Sequence, residues 1–318
     1  MSGLCILRAG PLCTVQDAGR HGYLRYGITP AGPMDWVSHA VANGLIGNAA
    51  GLAGIEVGPA GMAFTADVPL RLAIAAPGFA VLRNGSAVPS HVVLTLLPGM
   101  VIDVQPGPPK GLEGVWGYIA LPGGVAGVPV MGSMASHLRS GLGPGALQVG
   151  DQVGAVGVGA EGADACLILQ MQRDSPPIRY IPGPQDDLFP PSTHAVLNTA
   201  GFTISPRSDR MAYRLSGPAL PAKGAHDIVS DGIAMGAIQV PGDGQPFVLM
   251  ADRQPTGGYP KIGTVIRADL PRLAQMRAGQ PLQFTPVTVP EAVAALRAAV
   301  ERVVRVQQDM RMMRFQVT

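Results

Sequence analysis

Glycine and proline recur along the whole chain and limit the length of every regular element. The 318 residues include 43 glycines and 31 prolines. This share lies just below the ~25–30% that is typical of disordered chains. Hydrophobic residues make up 47% of the sequence, which is enough to form a core. Because proline interrupts helices and sheet ladders and glycine favours tight turns, we predict a mainly β, globular fold of many short strands.

Short alternating segments predict the strands. Leu70, Leu72 and Ile74 alternate with more polar or smaller neighbours, as expected for a strand with one buried face. Residues 81–88 have an Asn-Gly pair at their centre, which is the strongest short-range signal for a β-hairpin. Further strands are predicted at 100–104, 117–121, 167–171, 213–215, 236–240 and 247–250.

Helical periodicity is limited to three segments. Residues 35–46 place apolar side chains on one stripe and end at Gly47, which can supply a left-handed cap. A second, short helix is predicted within the segment 269–278. The sequence Thr288-x-x-Glu291 is a capping box and predicts a C-terminal helix over residues 289–312. Its apolar stripe seals a core or contacts a partner protein.

A proline pair marks the predicted domain boundary. The sequence Asp174-Ser175-Pro176-Pro177 follows an apolar segment, and the two prolines cannot continue a sheet ladder. We therefore predict an N-terminal β-barrel-like domain over residues 1–175 and a C-terminal β domain over residues 178–288, followed by the helix.

Charge and cysteine content exclude several classes of protein. The formal net charge is +2 and the basic residues are scattered, so neither nucleic acid nor a membrane surface is an expected partner. The longest apolar run, residues 72–82, is interrupted by proline and glycine and is shorter than the ~18 residues of a membrane helix. Three cysteines without a C-x-x-C spacing, and an N-terminus unlike a signal peptide, predict a cytoplasmic protein.

Cofactor motifs are missing from the sequence. The chain has three lysines, Lys110, Lys223 and Lys261. None of them lies in a biotin-acceptor sequence or in a Walker A phosphate loop. The segment Gly157–Gly162 matches the dinucleotide fingerprint, but a predicted strand follows it, which favours a glycine-rich turn. The six histidines lack the spacing of metal ligands. We therefore predict that this chain binds no metal and no cofactor itself.

Two polar loops carry the candidate functional residues. Residues 252–261 read Asp-Arg-Gln-Pro-Thr-Gly-Gly-Tyr-Pro-Lys between two predicted apolar strands, and residues 14–23 read Thr-Val-Gln-Asp-Ala-Gly-Arg-His-Gly-Tyr. Charge, amide groups and glycine at this density destabilise a fold and are tolerated most readily where binding needs them. A long hairpin connection is the structural alternative for residues 252–261.

Together with residues 32–35, 42–48, 130–133, 182–185, 210–215 and 238–241, these loops resemble the biotin-dependent carboxyltransferase family. That family includes allophanate hydrolase subunit 2, the C-terminal part of the carboxyltransferase of urea carboxylase, and the C subunit of 5-oxoprolinase. The resemblance covers residues 4 to 290 and does not choose between these members. It implies a cyclophilin-like β-barrel arrangement in both halves of the chain.

The family's chemistry on amides and lactams implies roles for particular residues. Such reactions need donors for a developing oxyanion and a carboxylate or amide that orients the attacked nitrogen or the attacking water. Catalytic roles are expected for Asp252, Thr256, Asp17 and Asp35. Substrate binding is expected for Gln16, Arg20, Asn43, Asn48, Arg210, Gln239, Gln254, Gly257, Gly258, Tyr259 and Lys261.

Two of these residues, Arg20 and Arg210, suit a substrate carboxylate because a guanidinium group donates paired hydrogen bonds. For Arg20, Asp17 and Asp35, a buried turn or cap interaction that holds the fold is an equal alternative.

The resemblance implies the C subunit of an ATP-dependent 5-oxoprolinase complex, which opens the lactam of 5-oxoproline to L-glutamate. The expected partners are a B subunit of the allophanate hydrolase subunit 1 type and a large, ATP-using A subunit, and this chain alone is expected to be inactive. One alternative is a carboxyltransferase component that takes its carboxyl group from carboxybiotin on a separate carrier and acts on urea or a small amide. Another is a non-catalytic regulatory protein that antagonises a kinase inhibitor. The lack of a carboxylase or carrier domain favours the first interpretation over the second.

Overall fold

The computed structural model describes residues 3–107, 114–157, 159, 162–167, 176–224 and 227–315, and only the backbone of residues 307 and 309–315. The chain divides into two compact units. The first unit comprises residues 1–20, 31–171 and 300–318, and the second comprises residues 21–30 and 172–299. The Asp174-Ser175 part of the predicted boundary lies outside the described residues.

The first unit contains two antiparallel sheets. Its described strands are β1 (Gly3–Ala9), β2 (Thr14–Gln16), β3 (Gly54–Val57), β4 (Met62–Ala66), β5 (Leu70–Ala75), β6 (Phe79–Arg83), β7 (Ser86–Val88), β8 (His91–Leu96), β9 (Val101–Pro106), β10 (Gly117–Ala120), β11 (Gln152–Gly154) and β12 (Ala165–Cys166). One sheet has the order β11-β1-β4-β9-β6-β7, and the other has the order β12-β8-β5-β10-β3-β2. Residues 168–171 of the predicted strand 167–171 lie outside the described residues, as do Val158, Ala160 and Glu161 of the glycine-rich segment.

One apolar core lies between these two sheets. Ile6 and Phe64 from the first sheet and Leu72, Ile74 and Leu94 from the second are fully buried members of one cluster. Successive strand residues point to opposite faces, so the alternating apolar pattern directs one face of each sheet inward. Burial of each such side chain contributes about 1.5–3 kcal/mol relative to exposure.

The predicted hairpin between β6 and β7 is confirmed. These strands pair antiparallel, and Asn84 and Gly85 in the turn have φ angles of 48° and 81°. Two successive positive φ angles are the signature of the type I′ turn, whose twist matches that of the flanking strands.

The second unit is built around one curved sheet. Its described strands are β13 (Ile178–Pro182), β14 (Phe202–Ile204), β15 (Ala212–Ser216), β16 (Asp231–Gly232), β17 (Ala237–Gln239), β18 (Phe247–Leu249), β19 (Thr256–Gly257), β20 (Lys261–Val265), β21 (Pro281–Leu282) and β22 (Phe284–Pro286). The main sheet has the order β21-β14-β15-β18-β17-β20-β13-β22, and β16 pairs with β19 in a separate two-stranded ribbon. The two edge strands, β21 and β22, are separated in sequence by Gln283 alone, so the sheet curves round into a nearly closed barrel.

Four α-helices complete the described chain, which are α1 (Trp36–Ile46), α2 (Pro191–Thr199), α3 (Leu270–Ala274) and α4 (Val289–Phe315). The capping box of α4 forms as predicted, with the Thr288 amide donating to Glu291 Oε2 over 2.7 Å. The sequence analysis missed α2, which begins at a proline without a side-chain cap. Among the described helices, none is both long and apolar enough to cross a membrane. The predicted mainly β fold with barrel-like units, short helices and a C-terminal helix is confirmed.

Candidate functional site

Asp17 anchors the loop that follows β2 in the first unit. Its Oδ1 accepts hydrogen bonds from the Ser133 hydroxyl at 2.6 Å and from the Gly19 amide at 2.9 Å. Its Oδ2 accepts from the Met134 amide at 2.6 Å. Both carboxylate oxygens therefore hold backbone and hydroxyl groups of the same unit, as the structural alternative for this residue anticipates.

Arg20 ties the same loop to the segment 130–135. Its side chain is 1% exposed. Nε donates to the Val130 carbonyl at 2.9 Å, and Nη2 donates to the carbonyls of Ser133 and Ala135 at 3.3 and 3.0 Å. Three carbonyl oxygens accept from this guanidinium. Fewer of its N–H groups are therefore left for a bidentate contact with a substrate carboxylate.

Gln16 forms hydrogen bonds through both ends of its side-chain amide. Its Nε2 donates to Thr14 Oγ1 and to the Ser136 carbonyl, both at 2.9 Å, and its Oε1 accepts from the Gly32 amide at 3.1 Å. His39 Nε2 lies 3.2 Å from the Gln16 carbonyl oxygen. Complete burial lowers the pKa of His39 to about 4, because the charged imidazolium loses its hydration.

The paired amides Asn43 and Asn48 fix the end of α1. Asn48 Nδ2 donates to Asn43 Oδ1 at 2.9 Å and to the Leu121 carbonyl at 2.8 Å. Asn48 Oδ1 accepts from the Gly123 amide at 3.0 Å, and Asn43 Nδ2 donates to the Leu52 carbonyl at 3.0 Å. These contacts join the helix terminus to two loops of the first unit.

Asp35 is the N-cap of α1. Its Oδ1 accepts from the amides of Val37 and Ser38, each at 3.0 Å, which satisfies two donors at the helix start. Its own amide donates to the Tyr118 hydroxyl at 2.8 Å, and that hydroxyl donates to Glu56 Oε2 at 2.7 Å. Burial, and then the nearby Glu56 carboxylate, raise the pKa of Tyr118 well above its usual value. The sequence analysis missed Glu56 and Tyr118, because nothing local marks a buried carboxylate inside a strand.

In the second unit, the polar loop 252–261 is covered by a neighbouring segment. Residues of β16 and β19 pair in the ribbon, with Asp231 opposite Gly257. The Ile233 amide donates to the Pro255 carbonyl at 2.9 Å, and the Ile228 amide donates to the Gly258 carbonyl at 2.7 Å. The predicted catalytic residue Thr256 lies in this ribbon and is exposed. The loop is therefore one half of a two-segment structure and differs from a simple hairpin connection.

Lys261 is buried beside the ribbon. Its side chain is 3% exposed and its Nζ lies 3.2 Å from Oδ2 of Asp231, which is 54% exposed. Gln185 contacts both residues, since its Oε1 accepts from the Lys261 amide at 3.2 Å and its Nε2 donates to Asp231 Oδ2 at 3.4 Å. The hydrogen bond from Lys261 is the largest cause that lowers the pKa of Asp231. The sequence analysis placed Gln185 in a family motif but gave no role to Gln185 or Asp231.

Arg210 and Asp252 form a buried ion pair. Nε and Nη2 of Arg210 donate to Oδ2 and Oδ1 of Asp252 at 3.0 and 2.8 Å. Their side chains are 3% and 5% exposed. This bidentate geometry uses one edge of the guanidinium and both carboxylate oxygens. Asp252, which was predicted to be catalytic, and Arg210, which was predicted to bind a substrate carboxylate, are thus bound to each other.

Arg253 is a second buried cation of this loop, and no role was predicted for it from the sequence. It is 7% exposed, and its Nε donates to the Ile233 carbonyl at 3.0 Å while Nη1 donates to the Met250 carbonyl at 3.5 Å. Burial lowers its pKa to about 10, although the charge of Asp252 acts in the opposite direction. Among the described residues, no carboxylate hydrogen-bonds to Arg253. Since Asp252 is neutralised by Arg210, the three side chains together carry one positive charge.

Gln239 lies beneath the loop, on β17. It is 0% exposed, and its Nε2 donates to the Tyr259 carbonyl at 3.2 Å. A Cβ atom placed on Gly257 would lie 3.1 Å from Gln239 Nε2 and 2.7 Å from Ile233 Cδ1. It would also lie 3.6 Å from Gln254 Nε2, so the missing side chain of Gly257 leaves room for both amides.

Comparison with known proteins places the chain in a family. A family model described as carboxyltransferase domain, subdomain A and B, matches residues 26–286. The chain is 32% identical to the C subunit of 5-oxoprolinase from Escherichia coli (strain K12) over 304 residues, which cover 92% of this chain and 94% of that protein. The chain belongs to the carboxyltransferase-domain family.

Other members of this family are larger than the chain. A putative urea carboxylase of Emericella nidulans is 27% identical over 93% of this chain but only 25% of its own length. The crystal structure of TTHA0988 superposes with a TM-score of 0.81 at 31% identity and covers 90% of this chain and 56% of its own. The chain therefore spans just over half of that solved protein.

The predicted site residues of this carboxyltransferase-domain protein form two groups, one in each unit. The first unit holds Gln16, Asp17, Arg20, Asp35, Asn43 and Asn48, whose described contacts are to groups of the same unit. The second unit holds Arg210, Gln239, Asp252, Gln254, Thr256, Gly257, Gly258, Tyr259 and Lys261 around the ribbon. Because Arg253 and Gln239 there keep binding capacity, the second group is our candidate functional site.

Proposed function

We propose that the chain is the C subunit of an ATP-dependent 5-oxoprolinase complex that converts 5-oxoproline to L-glutamate. The observation that carries this proposal is the extent of the match to the Escherichia coli protein. That match runs over nearly the whole of both chains, whereas the putative urea carboxylase is matched over a quarter of its length. We base the proposal on this match because fold alone would not decide the activity.

The chemistry of the second unit supports an anionic amide substrate. 5-Oxoproline carries a lactam and a carboxylate. Arg253 is buried, charged and without a carboxylate partner among the described residues, so we assign it the substrate carboxylate. Arg20 and Arg210 are less suited, because the former binds three carbonyl oxygens and the latter binds Asp252.

The reacting carbonyl is assigned to the ribbon. Thr256 offers a hydroxyl, and Gly257 and Gly258 allow the backbone to approach a ligand closely. Lys261 and Asp231 form an ion pair at the same ribbon, where they fix its geometry. In this proposal the chain positions the lactam, and water adds across its carbonyl–nitrogen bond to give a carboxylate and an amine.

In this proposal the other subunits of the complex supply the ATP-dependent step. We assign ATP use to a large A subunit and the second protein contact to a B subunit of the allophanate hydrolase subunit 1 type. In the absence of these partners, the chain is expected to release neither phosphate nor glutamate.

Reconstitution tests the proposal directly. The chain is co-expressed with its two candidate partner proteins, and glutamate formed from 5-oxoproline is measured with and without ATP. Glutamate is expected only when all three proteins and ATP are present. Failure of the complete mixture to form glutamate would contradict the proposal.

The Arg253→Gln variant tests the assigned carboxylate contact within the same assay. Loss of a charge-assisted contact is expected to raise KM for 5-oxoproline by about 10–100-fold, with a smaller change in kcat. The exposed Arg207 gives the matched control, since Arg207→Gln removes an equal charge from the same unit. If the two variants behave alike, Arg253 does not bind the substrate.

A carboxyltransferase acting on urea or a small amide is the second candidate. The family description and the urea carboxylase relative favour it. In this case carboxybiotin, carried by a separate protein, is a substrate that donates its carboxyl group. Carboxylated urea that forms with ATP, bicarbonate, a biotin carboxylase and its carrier only when this chain is added, without any glutamate from 5-oxoproline, would favour this candidate.

A further inference from the structure

The side-chain oxygen of Gln239 accepts no hydrogen bond from the described residues. The residue is 0% exposed, and its Oε1 has no partner among the described residues. Buried polar side-chain atoms in folded proteins are nearly always hydrogen-bonded, so such an exception calls for a physical cause.

The orientation of the Gln239 amide is fixed by its other end. Nε2 lies 3.2 Å from the Tyr259 carbonyl oxygen, which can only accept. Reversing the amide would place two acceptor oxygens against each other and would lose this bond. Oε1 therefore faces away from the Tyr259 carbonyl, and its unused lone pairs require an N–H or O–H donor.

The surroundings of Gln239 are mostly apolar. In the sheet it lies opposite Phe247, so both side chains share one face of the barrel wall. On that face Ile233 and Phe247 belong to a small apolar cluster, and the Tyr259 ring stacks edge-on against Phe247 with centroids 6.4 Å apart. Gly257 lies against the same amide, since a Cβ on Gly257 would be 3.1 Å from Gln239 Nε2. A single neutral acceptor in such apolar surroundings favours a small neutral donor over a cation.

We propose that Gln239 Oε1 accepts the N–H of the substrate amide, which makes Gln239 a specificity-determining residue for an unsubstituted lactam or amide nitrogen. This proposal deepens the proposed function, because it names the group that recognises the lactam nitrogen of the same site. It requires β16 to move away from β19, so that the substrate reaches Gln239 while Thr256 and Gly257 of β19 keep their place beside the reacting carbonyl. The segment that would move is exposed at Ser230, Asp231 and Gly232.

The predicted specificity follows from the geometry. A lactam with an N–H satisfies Oε1, whereas an N-methyl lactam places a methyl group against a buried oxygen and leaves it without a donor. The wild-type chain is therefore expected to bind the N–H form about 10–100-fold more tightly than the N-methyl form.

Binding of two matched ligand pairs tests the proposal. The full chain, alone and in complex with its partner proteins, is titrated with 5-oxoproline and 1-methyl-5-oxoproline, and with 2-pyrrolidinone and 1-methyl-2-pyrrolidinone. The second pair lacks the carboxylate and so reports on the nitrogen alone. Gln239→Met, which keeps the side-chain length but removes the amide, is expected to reduce the N–H preference to about threefold or less.

Two controls separate specificity from folding. Gln245 is another glutamine of the second unit, and both ends of its amide bind Gly217. Gln245→Met is expected to retain the full preference for the N–H ligands. Gln239→Leu provides a second variant, and the thermal unfolding midpoint of each variant shows that the protein remains folded.

The outcomes are distinct from those for the proposed function. Equal wild-type binding of the N–H and N-methyl ligands, retention of the preference in folded Gln239→Met and Gln239→Leu, or binding of neither pair overturns the proposal. A complex that forms glutamate while showing one of these results keeps the proposed function and rejects Gln239. A complex that forms no glutamate but shows the Gln239-dependent N–H preference rejects the proposed function alone.

Discussion

The loop after β2 in the first unit and the loop 252–261 in the second have similar compositions but differ in how their polar groups are used. Asp17 binds three donors and Arg20 binds three carbonyls, all within the first unit. In the second unit, Arg253 lacks a carboxylate partner and Gln239 lacks a donor for its oxygen among the described residues. Density of polar residues alone therefore does not separate a structural loop from a binding loop.

The difference has a thermodynamic meaning. A buried polar group that is fully hydrogen-bonded stabilises one conformation, whereas each buried group left without a partner costs about 1–3 kcal/mol. Among the described residues beside the ribbon, Gln239 Oε1 is such a group, and a ligand that donates to it would recover this free energy. Stability should therefore respond more to changes in the saturated networks, and binding should respond more to changes at the ribbon.

The largest expected effect comes from the saturated charge pair of the second unit, Arg210 with Asp252. Asp252→Ala leaves the Arg210 guanidinium buried without its carboxylate, and we expect a loss of about 3–5 kcal/mol in the free energy of unfolding. Urea unfolding of the full chain measures this loss. Asp227→Ala, at an exposed position of the same unit, is the control and should change stability by less than about 0.5 kcal/mol.

The double variant Arg210→Met with Asp252→Leu sharpens this test. Removing both charges together should recover most of the lost stability, because replacement of a buried pair by apolar side chains is often nearly neutral. If Asp252→Ala costs less than about 1 kcal/mol, the pair is not the structural element that its geometry indicates.

Acid should destabilise the first unit through His39. Burial lowers the folded-state pKa of His39 to about 4, against an ordinary value of 6.5 in the unfolded chain. Between these two values the unfolded chain binds a proton that the folded chain does not, so stability falls as pH decreases from 6.5 to 4. The expected loss from this residue is about 3 kcal/mol.

Denaturant unfolding at several pH values between 4 and 8 measures this dependence. His39→Gln should reduce the slope of unfolding free energy against pH below 6.5, and it should leave the slope above pH 7 unchanged. His91, whose pKa burial also lowers to about 4, should give a second contribution of the same sign. An unchanged acid slope in His39→Gln would show that folding does not lower the pKa of His39.

The smallest expected effects distinguish the two glycines of the ribbon. A Cβ on Gly257 would press on the mobile ends of Ile233 and Gln239, whereas a Cβ on Gly258 would lie 3.2 Å from the backbone oxygen of Ile228. Gly257→Ala should therefore raise KM of the reconstituted complex several-fold with a stability change below about 1 kcal/mol. Gly258→Ala should raise KM by a smaller factor, because the atom nearest to its Cβ is the Ile228 backbone oxygen and not a side chain of the site. Equal KM values for the two variants would contradict the placement of Gly257 next to the bound substrate.

Local sequence signals predicted those elements whose contacts are short in sequence. The Asn84-Gly85 turn, the left-handed cap of α1 at Gly47 and the Thr288–Glu291 capping box each depend on residues within three or four positions of one another. The helix α2 was not predicted from the sequence, because its local signals are weak. It begins at Pro191 without a side-chain cap and buries only Thr193 and Leu197.

Residue types and their near neighbours were enough to specify the class of fold, the family and the loops in which polar residues gather. Which arginine is occupied and which is available depends instead on contacts that form only in the folded chain. Arg20 finds its carbonyl partners 110 to 115 positions away, and Arg210 finds Asp252 at a separation of 42. The orientation of the Gln239 amide is set by Tyr259, 20 residues later, whose carbonyl accepts from Gln239 Nε2. Hydrogen-bond satisfaction depends on groups that folding brings together, and residue types alone do not specify those pairings.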